Sequence, residues 1–307
     1  DEVELLFETS RGCWWGEKAH CTFCGLNGAT MKFREMGVDL ARKTIQEMVD
    51  KYADRVTRFA SVDNIIPKSY TDDLLPELDV PDHVTLFYEV KADLSREQLK
   101  TLAKARVVEV QPGVESIATE TLKLMRKGTT AFNNIRFLSD CAAEGVKPVW
   151  NLLVGFPGES AETFEMYRAN LPRLTHLPPP SGVFPVRFDR FSPYFTQADS
   201  FGLDLEPLDY HELNYPFPEE VVWNMAYYFR DRNIDAPYQV DLAEHLAHLR
   251  EAVVRWRARW ESDAGAPRLR LIEDDYGWLV EDQRTGHKVE HELDDPDVEL
   301  LRALETP

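Results

Sequence analysis

The chain has 307 residues, 43% hydrophobic and 29% charged, enough for one large core or for a large domain with a smaller one. Its formal net charge of −19 repels a phosphate backbone and no basic stripe offsets it, so nucleic acid is not an expected partner. No run of about eighteen apolar residues and no basic-then-apolar leader occurs, which gives no support to a membrane span or a secretion signal and leaves the cytoplasm as the expected compartment.

Short β-rich apolar runs at residues 4–9, 58–62, 85–90, 107–111, 148–153 and 184–191 alternate with helical patterns at 38–52, 95–104, 117–126, 132–144 and 162–174. The chain opens on Asp1 rather than Met with a strand pattern already running from Val3, so further sequence ahead of it is expected. About six β/α units are too few for a closed eight-stranded barrel. The expected fold class is α/β, a partial, open TIM-like barrel, with a doubly wound sheet as the competing architecture. Polar residues end nearly every apolar run: Ser10, Asp63 with Asn64, Glu89 with Lys91, Glu115 with Ser116, Asn151, and Arg190 with Ser192. In a barrel of parallel strands those ends converge on one face, which favours the barrel, although residues leaving a strand turn polar through exposure alone.

Past residue 195 the pattern changes. Pro178, Pro179 and Pro180 stiffen the loop into the last strand, and Leu242, Leu246, Leu249, Val253, Trp256 and Trp260 recur at helical spacing. That stripe fits a helix on the barrel flank better than a partner-docking helix. Alternating runs over 268–289, with turns at Asp274-Asp275 and Thr285-Gly286, predict a β-meander, and 294–304 predicts a last helix. The expected division is therefore 1–195 for the barrel, 196–264 for a helical extension packed on it, and 265–307 for a meander plus helix that is a candidate peptide-positioning region. The last two make a C-terminal α+β extension.

Three of the four cysteines, Cys13, Cys21 and Cys24, lie close together near the start, a metal-site pattern rather than a disulfide framework. Iron-sulfur clusters need thiolates on a loop whose glycines bring backbone close to the sulfides and whose apolar neighbours limit solvent. Gly12, Gly16, Gly25 and Gly28 with Trp14, Trp15 and Phe23 supply both. Three thiolates leave one iron open for a reactant. The alternative is a zinc knuckle of the three cysteines and His20, which would make the chain a zinc-stabilised peptide-binding module without catalysis. Cys141, alone on a helix, is expected to be an ordinary buried thiol.

The segments Phe7-Glu-Thr-Ser-Arg-Gly-Cys13-Trp-Trp-Gly16 and Cys21-Thr-Phe-Cys24-Gly-Leu-Asn-Gly28 resemble the cluster loop of radical S-adenosylmethionine (SAM) enzymes, with C-x7-C-x2-C in place of the usual C-x3-C-x2-C. Within that superfamily they are similar to the radical SAM maturases of ribosomally made, post-translationally modified peptides, the bacteriocin-maturation protein 1 group. Val62-Asp-Asn64, Phe87-Tyr-Glu-Val-Lys-Ala92, Gln111-Pro-Gly-Val-Glu-Ser116, Leu124-Met-Arg-Lys-Gly128, Asn151-Leu-Leu-Val-Gly-Phe-Pro-Gly-Glu159 and Arg187-Phe-Asp-Arg-Phe-Ser-Pro-Tyr-Phe195 agree with it, and the similarity covers roughly residues 4 to 230.

The resemblance implies a 4Fe-4S cluster on Cys13, Cys21 and Cys24, SAM as co-substrate, a flavodoxin- or ferredoxin-type reductant and a precursor peptide as substrate. Group members usually carry a cobalamin-binding-type domain ahead of the core, so cobalamin is implied by resemblance alone. Peptide C-methylation is the leading reaction, against cobalamin-independent oxidation, crosslinking or rearrangement. SAM needs acceptors for its ammonium and ribose and donors for its carboxylate. Glu89 and Glu115, with the adjoining Ser116, are candidates for the first, Lys91 and Arg190 for the second, and Asn151 for either. Glu89 and Lys91 could instead pair with each other. Gly113 and the Gly155-Phe-Pro-Gly158 turn are expected to shape the nucleoside wall. Tyr70, Tyr88, Tyr194 and His176 face either substrate or core, and no hydrogen-atom donor is named.

Overall fold

A computed structural model describes residues 3–28, 30–275 and 277–304. Six parallel strands are laid down in chain order. They are β1 (Glu4–Phe7), β2 (Arg58–Ser61), β3 (Thr85–Glu89), β4 (Val107–Gln111), β5 and β6 (Val183–Pro185), each hydrogen-bonded to the next. Strand β5 comes in two pieces: Lys147–Pro148 pairs with β4 and Leu152–Val154 with β6. Among the described residues β1 and β6 do not pair, so the barrel is open, as expected of about six units. All but one of the helices between strands form close to where the sequence predicts them. In Val38–Tyr52 the positions Ala41, Ile45 and Val49 recur every four residues and are buried against the sheet. Arg96–Lys104 starts on a capping box of Ser95 and Gln98, while Ala131–Glu144 runs from a Thr130 cap to Gly145 in the left-handed conformation, φ 72°.

The helix Leu242–Trp260 closes the exposed side of β6. Leu246, Leu249, Val253 and Trp256 are buried, Arg250 Nε donates to Val183 O at 3.1 Å, and Trp256 Nε1 and Trp260 Nε1 donate to Leu177 O and Thr175 O at 2.9 and 2.8 Å. A β edge that would otherwise offer unpaired groups is thereby covered. The helix runs from the mouth, where Leu242 packs against Gly155, to the opposite face, where Trp260 sits beside the chain entering β6. No helix among the described residues is long and apolar enough to cross a membrane.

Three expectations differ from the structure. The run 184–191 is not one strand: the last barrel bond is Val186 N to Val154 O at 2.7 Å, and Phe188–Asp189 then pairs antiparallel with Tyr228–Asp231, some forty residues on. Residues 196–241 are not purely helical, because Leu205–Pro207 completes a three-stranded antiparallel sheet over a second core that includes Phe156, Tyr194 and Phe229. The helix expected over 117–126 is only Thr119–Leu124, ending in a turn with Arg126 in the left-handed region, φ 57°. The meander forms as Leu269–Asp274, Gly277–Asp282 and Val289–Leu293, followed by the helix Asp295–Leu304.

Candidate active site

Strand β1 delivers the cysteine loop onto the C-terminal ends of the strands, and a buried carboxylate fixes its departure. Asp63, just past β2, accepts from Thr9 N, Ser10 N and Thr9 Oγ1 at 2.7, 2.9 and 2.5 Å. Two tryptophans then seat the loop. Trp14 Nε1 donates to Ile66 O at 3.1 Å and Trp15 Nε1 to Arg126 O at 3.2 Å, with Lys68 and Lys91 lying 4.2 and 4.7 Å from the respective ring centroids. Close approach explains two glycines here: a Cβ on Gly25 would fall 2.3 Å from Arg190 O, and one on Gly128 would fall 2.1 Å from the Trp15 ring.

Cys13, Cys21 and Cys24 are free, half-buried thiols. Gly16 N donates to Cys13 Sγ at 3.3 Å, an N–H aimed where a thiolate would carry charge. Burial pushes the Cys21 thiol up and the Cys24 thiol up to about 12, so loading a metal means displacing protons from them. His20, the fourth ligand of the zinc alternative, holds Cys24 O with Nε2 at 2.8 Å, and among the described residues no three Cys, His, Asp or Glu converge on a point for a single ion. Three sulfur donors, a backbone N–H toward one of them and indole walls that limit solvent fit an iron-sulfur cluster with one open iron. Cys141, by contrast, lies fully buried within its helix.

Around this loop the strand ends make two walls. At the ends of β3 and β4 stand Glu89, Glu115 and, from the turn after Thr119–Leu124, Lys127. Burial first, then the nearby Glu115 and Asp63, pushes the Glu89 carboxyl up to about 7. Glu115 has left-handed backbone, φ 57°, and its Oε1 lies 3.8 Å from Lys127 Nζ. Burial pulls the Lys127 ammonium down, but Glu115 and the three cysteines more than reverse that, so it stays charged. The second wall lines a cavity of about 790 Å³ with Cys24, Gly25, Asn151, Arg187 and, from beyond the barrel, Asp231 and Tyr238. Arg187 stacks 3.8 Å from the Tyr228 centroid and donates from Nε to Asp189 at 2.7 Å; Tyr238 Oη donates to Asp231 at 2.6 Å.

Of the residues singled out for SAM, Asn151 lines the cavity beside Cys24, and Glu89 and Glu115 share the charged wall. Lys91 does not pair with Glu89; its Nζ meets Asp93 at 2.8 Å beneath Trp15. Ser116 is turned inward by the left-handed residue before it and bonds Tyr167 Oη at 2.7 Å with no exposure. The Arg190 guanidinium is engaged at the C-terminal end of the helix Glu219–Met225, donating to Ala226 O at 2.6 Å and to Trp223 O. Tyr70, Tyr88 and Tyr194 belong to the core. Lys127, Arg187 and Glu159 were not singled out. Glu159, buried, ties the Gly155 turn by accepting from Gly155 N, Phe156 N and Thr121 Oγ1 at 2.5, 3.2 and 2.6 Å. All three stand inside the quoted motifs, Glu159 directly after Gly158, but no local pattern marks the contacts they make.

The radical SAM superfamily profile matches residues 7–169, slightly over half of the chain. The chain belongs to the radical SAM superfamily. Superfamily membership brings a 4Fe-4S cluster and SAM as cofactors and a need for a reductant. The fold is shared with the radical S-adenosylmethionine methyltransferase TsrM from Kitasatospora setae. Its structure with tryptophan substrate and a SAM analogue is 18% identical with a TM-score of 0.59, over 80% of this chain and 51% of that one. The structure with cobalamin and [4Fe-4S] cluster bound is 19% identical with a TM-score of 0.53, over 64% and 36%. The present chain thus spans 36–51% of the length of TsrM. No curated protein is significantly similar to it.

Proposed function

We propose that this radical SAM core modifies a residue of a ribosomally made precursor peptide, with cobalamin-dependent C-methylation as the reaction. The observation that carries the reading is the juxtaposition of Cys24 with a cavity of about 790 Å³, large enough for SAM and one substrate side chain together. The motif resemblance supports a peptide substrate, and the same fold carries methyl transfer in TsrM.

The chemistry that a bound cluster and SAM supply is one-electron cleavage of the sulfonium to methionine and a 5'-deoxyadenosyl radical. Cys13, Cys21 and Cys24 would hold the cluster and leave one iron for SAM. Among the described residues the Glu89 side chain makes no hydrogen bond or ion pair, so its half-buried carboxylate suits the SAM ammonium. Asn151 would hold a ribose hydroxyl or the amino-acid end from the opposite wall, and Arg187 rather than Arg190 offers a guanidinium to the cavity. The tied Gly155 turn would fix the wall against which the adenine lies. Together these groups would orient the substrate carbon and keep water from the radical.

The test is to incubate the reconstituted full-length enzyme with SAM, reductant and the precursor peptide encoded beside it, and to weigh the product. A gain of one methylene on the peptide, dependent on cobalamin, is expected. Loss of hydrogen without methyl gain would establish oxidation or crosslinking instead, and an unmodified peptide with SAM still cleaved would reject the peptide substrate.

A further inference from the structure

The turn Leu124-Met125-Arg126-Lys127-Gly128 is bonded directly to the cysteine loop. Thr22, between Cys21 and Cys24, donates from N to Met125 O at 3.1 Å and from Oγ1 to Leu124 O at 2.9 Å, and Trp15 donates to Arg126 O at 3.2 Å. Gly128 is wedged against the Trp15 ring and Arg126 is held left-handed, so the turn has one conformation open to it. Lys127 sits between these anchors with its side chain only 14% exposed. Its Nζ is packed so close to Gly113 that a Cβ there would lie 2.9 Å away. Among the described residues its ion pair is with Glu115, Nζ to Oε1 at 3.8 Å, too long for a direct hydrogen bond.

We propose that Lys127 is a positioning residue acting as the fixed countercharge of the cluster, placed by the Thr22 and Trp15 bonds so as to favour the cluster's reduced state; this rests on the reading that Cys13, Cys21 and Cys24 hold that cluster. Reduction adds one negative charge in a half-buried site, where a nearby cation stabilises it far more than it would in water. Glu115, paired with the ammonium at 3.8 Å, moderates the effect. The two residues therefore act on the cluster with opposite sign.

The experiment is anaerobic reconstitution of the chain and its variants, iron and sulfide analysis, and the cluster midpoint potential from an EPR-monitored redox titration without SAM. Lys127→Met is expected to keep iron and sulfide but lower the reduction equilibrium about tenfold, a negative shift of about 59 mV for a one-electron couple. Lys127→Arg should stay near the parent value. Glu115→Gln should move the potential in the positive direction, and it keeps the proposal testable should Lys127→Met fail to fold. An unchanged potential in Lys127→Met with weakened SAM binding would make Lys127 a SAM contact only; unchanged potential and unchanged SAM binding would make it a structural tie. Either result overturns the proposal. Absence of iron and sulfide from the parent protein would instead overturn the cluster assignment beneath it.

Discussion

The barrel carries a cavity at each end, and the two are of similar size but opposite character. The one at the mouth, about 790 Å³, meets Cys24, Asn151 and Arg187. The one at the other end, about 650 Å³, lies where the chain enters β5 and β6 and is lined by Cys141, His176, Trp260 and the start of the meander strand Leu269–Asp274. Burial pushes His176 down to about 4, so it stays neutral, and among the described residues its Nδ1 has no partner; the charged side chains that line this cavity, Lys147, Arg268 and Arg270, are all basic, and its cysteine is the lone Cys141. Volume therefore does not mark the chemistry. What marks it is the end of the strands at which each loop departs, because the C-terminal ends hold the loops free to carry charge around one point.

The sharpest way to break that comparison is through the cysteines, since each cavity has its own. Cys13→Ala, Cys21→Ala or Cys24→Ala should abolish the cluster, read as loss of about four iron and four sulfide and of absorbance near roughly 400 nm. Cys141→Ala, at the lower cavity, should keep the full complement. Retention of the cluster in any of the first three would mean that the mouth is not the metal centre.

Next in size are the polar groups of the two mouth walls. Glu115→Ala and Asn151→Ala should leave iron and sulfide unchanged but weaken SAM binding by about 1–3 kcal/mol each, the cost of losing a buried polar contact. Unchanged affinity in both, by equilibrium dialysis, would put SAM elsewhere.

Glu89 tests the charged wall through pH. Its folded carboxyl titrates at about 7 against an ordinary 4.5, so between those values the folded protein binds a proton that the unfolded chain does not, and stability falls as pH rises through that window. A ligand ammonium favours the ionised form, so SAM binding should tighten as pH rises from about 6 to about 8, releasing a proton at the lower end. Glu89→Gln should bind more weakly and lose the slope. A slope that persists in the variant would assign the proton to another group.

The barrel was legible in the sequence because each strand and its following helix make local, periodic patterns: Ala41, Ile45 and Val49, or the Ser95 and Gln98 capping box, announce themselves within one element. The cysteine loop was legible from its glycines and tryptophans for the same reason. The contacts of Ser116 and Arg190 are not legible: Ser116 follows left-handed backbone at Glu115 and meets Tyr167, and Arg190 meets the carbonyls of Trp223 and Ala226, all long-range facts that neither residue type signals. Likewise the split of residues 184–191 depends on pairing with Tyr228–Asp231, a contact set by tertiary structure. Lys127 stood in a quoted motif, but its importance lies in the turn bonded to Thr22 and Trp15, again a long-range fact.

The smallest expected effect on the chemistry comes from the far end of the molecule. The meander was expected to serve peptide positioning, and its place in the fold limits how it can do so. It is tied to the lower face by Arg284 Nη1 on Arg173 O at 3.0 Å and by Arg259 Nη2 on Gln283 O at 3.5 Å. The helix Leu242–Trp260, nineteen residues long, separates that face from the mouth by about 28 Å at 1.5 Å per residue. No meander side chain spans that distance, so removal of residues 268–307 should leave cluster content and SAM cleavage unchanged. Any positioning role must then act by holding a distant part of an extended peptide, and its acidic groups, among them Glu273, Asp274 and Asp275, would favour a basic segment through attraction that salt weakens. A truncated protein that cleaves SAM normally but turns over the peptide more slowly, with the deficit shrinking at high salt, supports that role. If the truncated protein instead loses its cluster or aggregates, the meander's work is to cover Trp260, His176 and the lower cavity, and peptide positioning must be sought at the mouth.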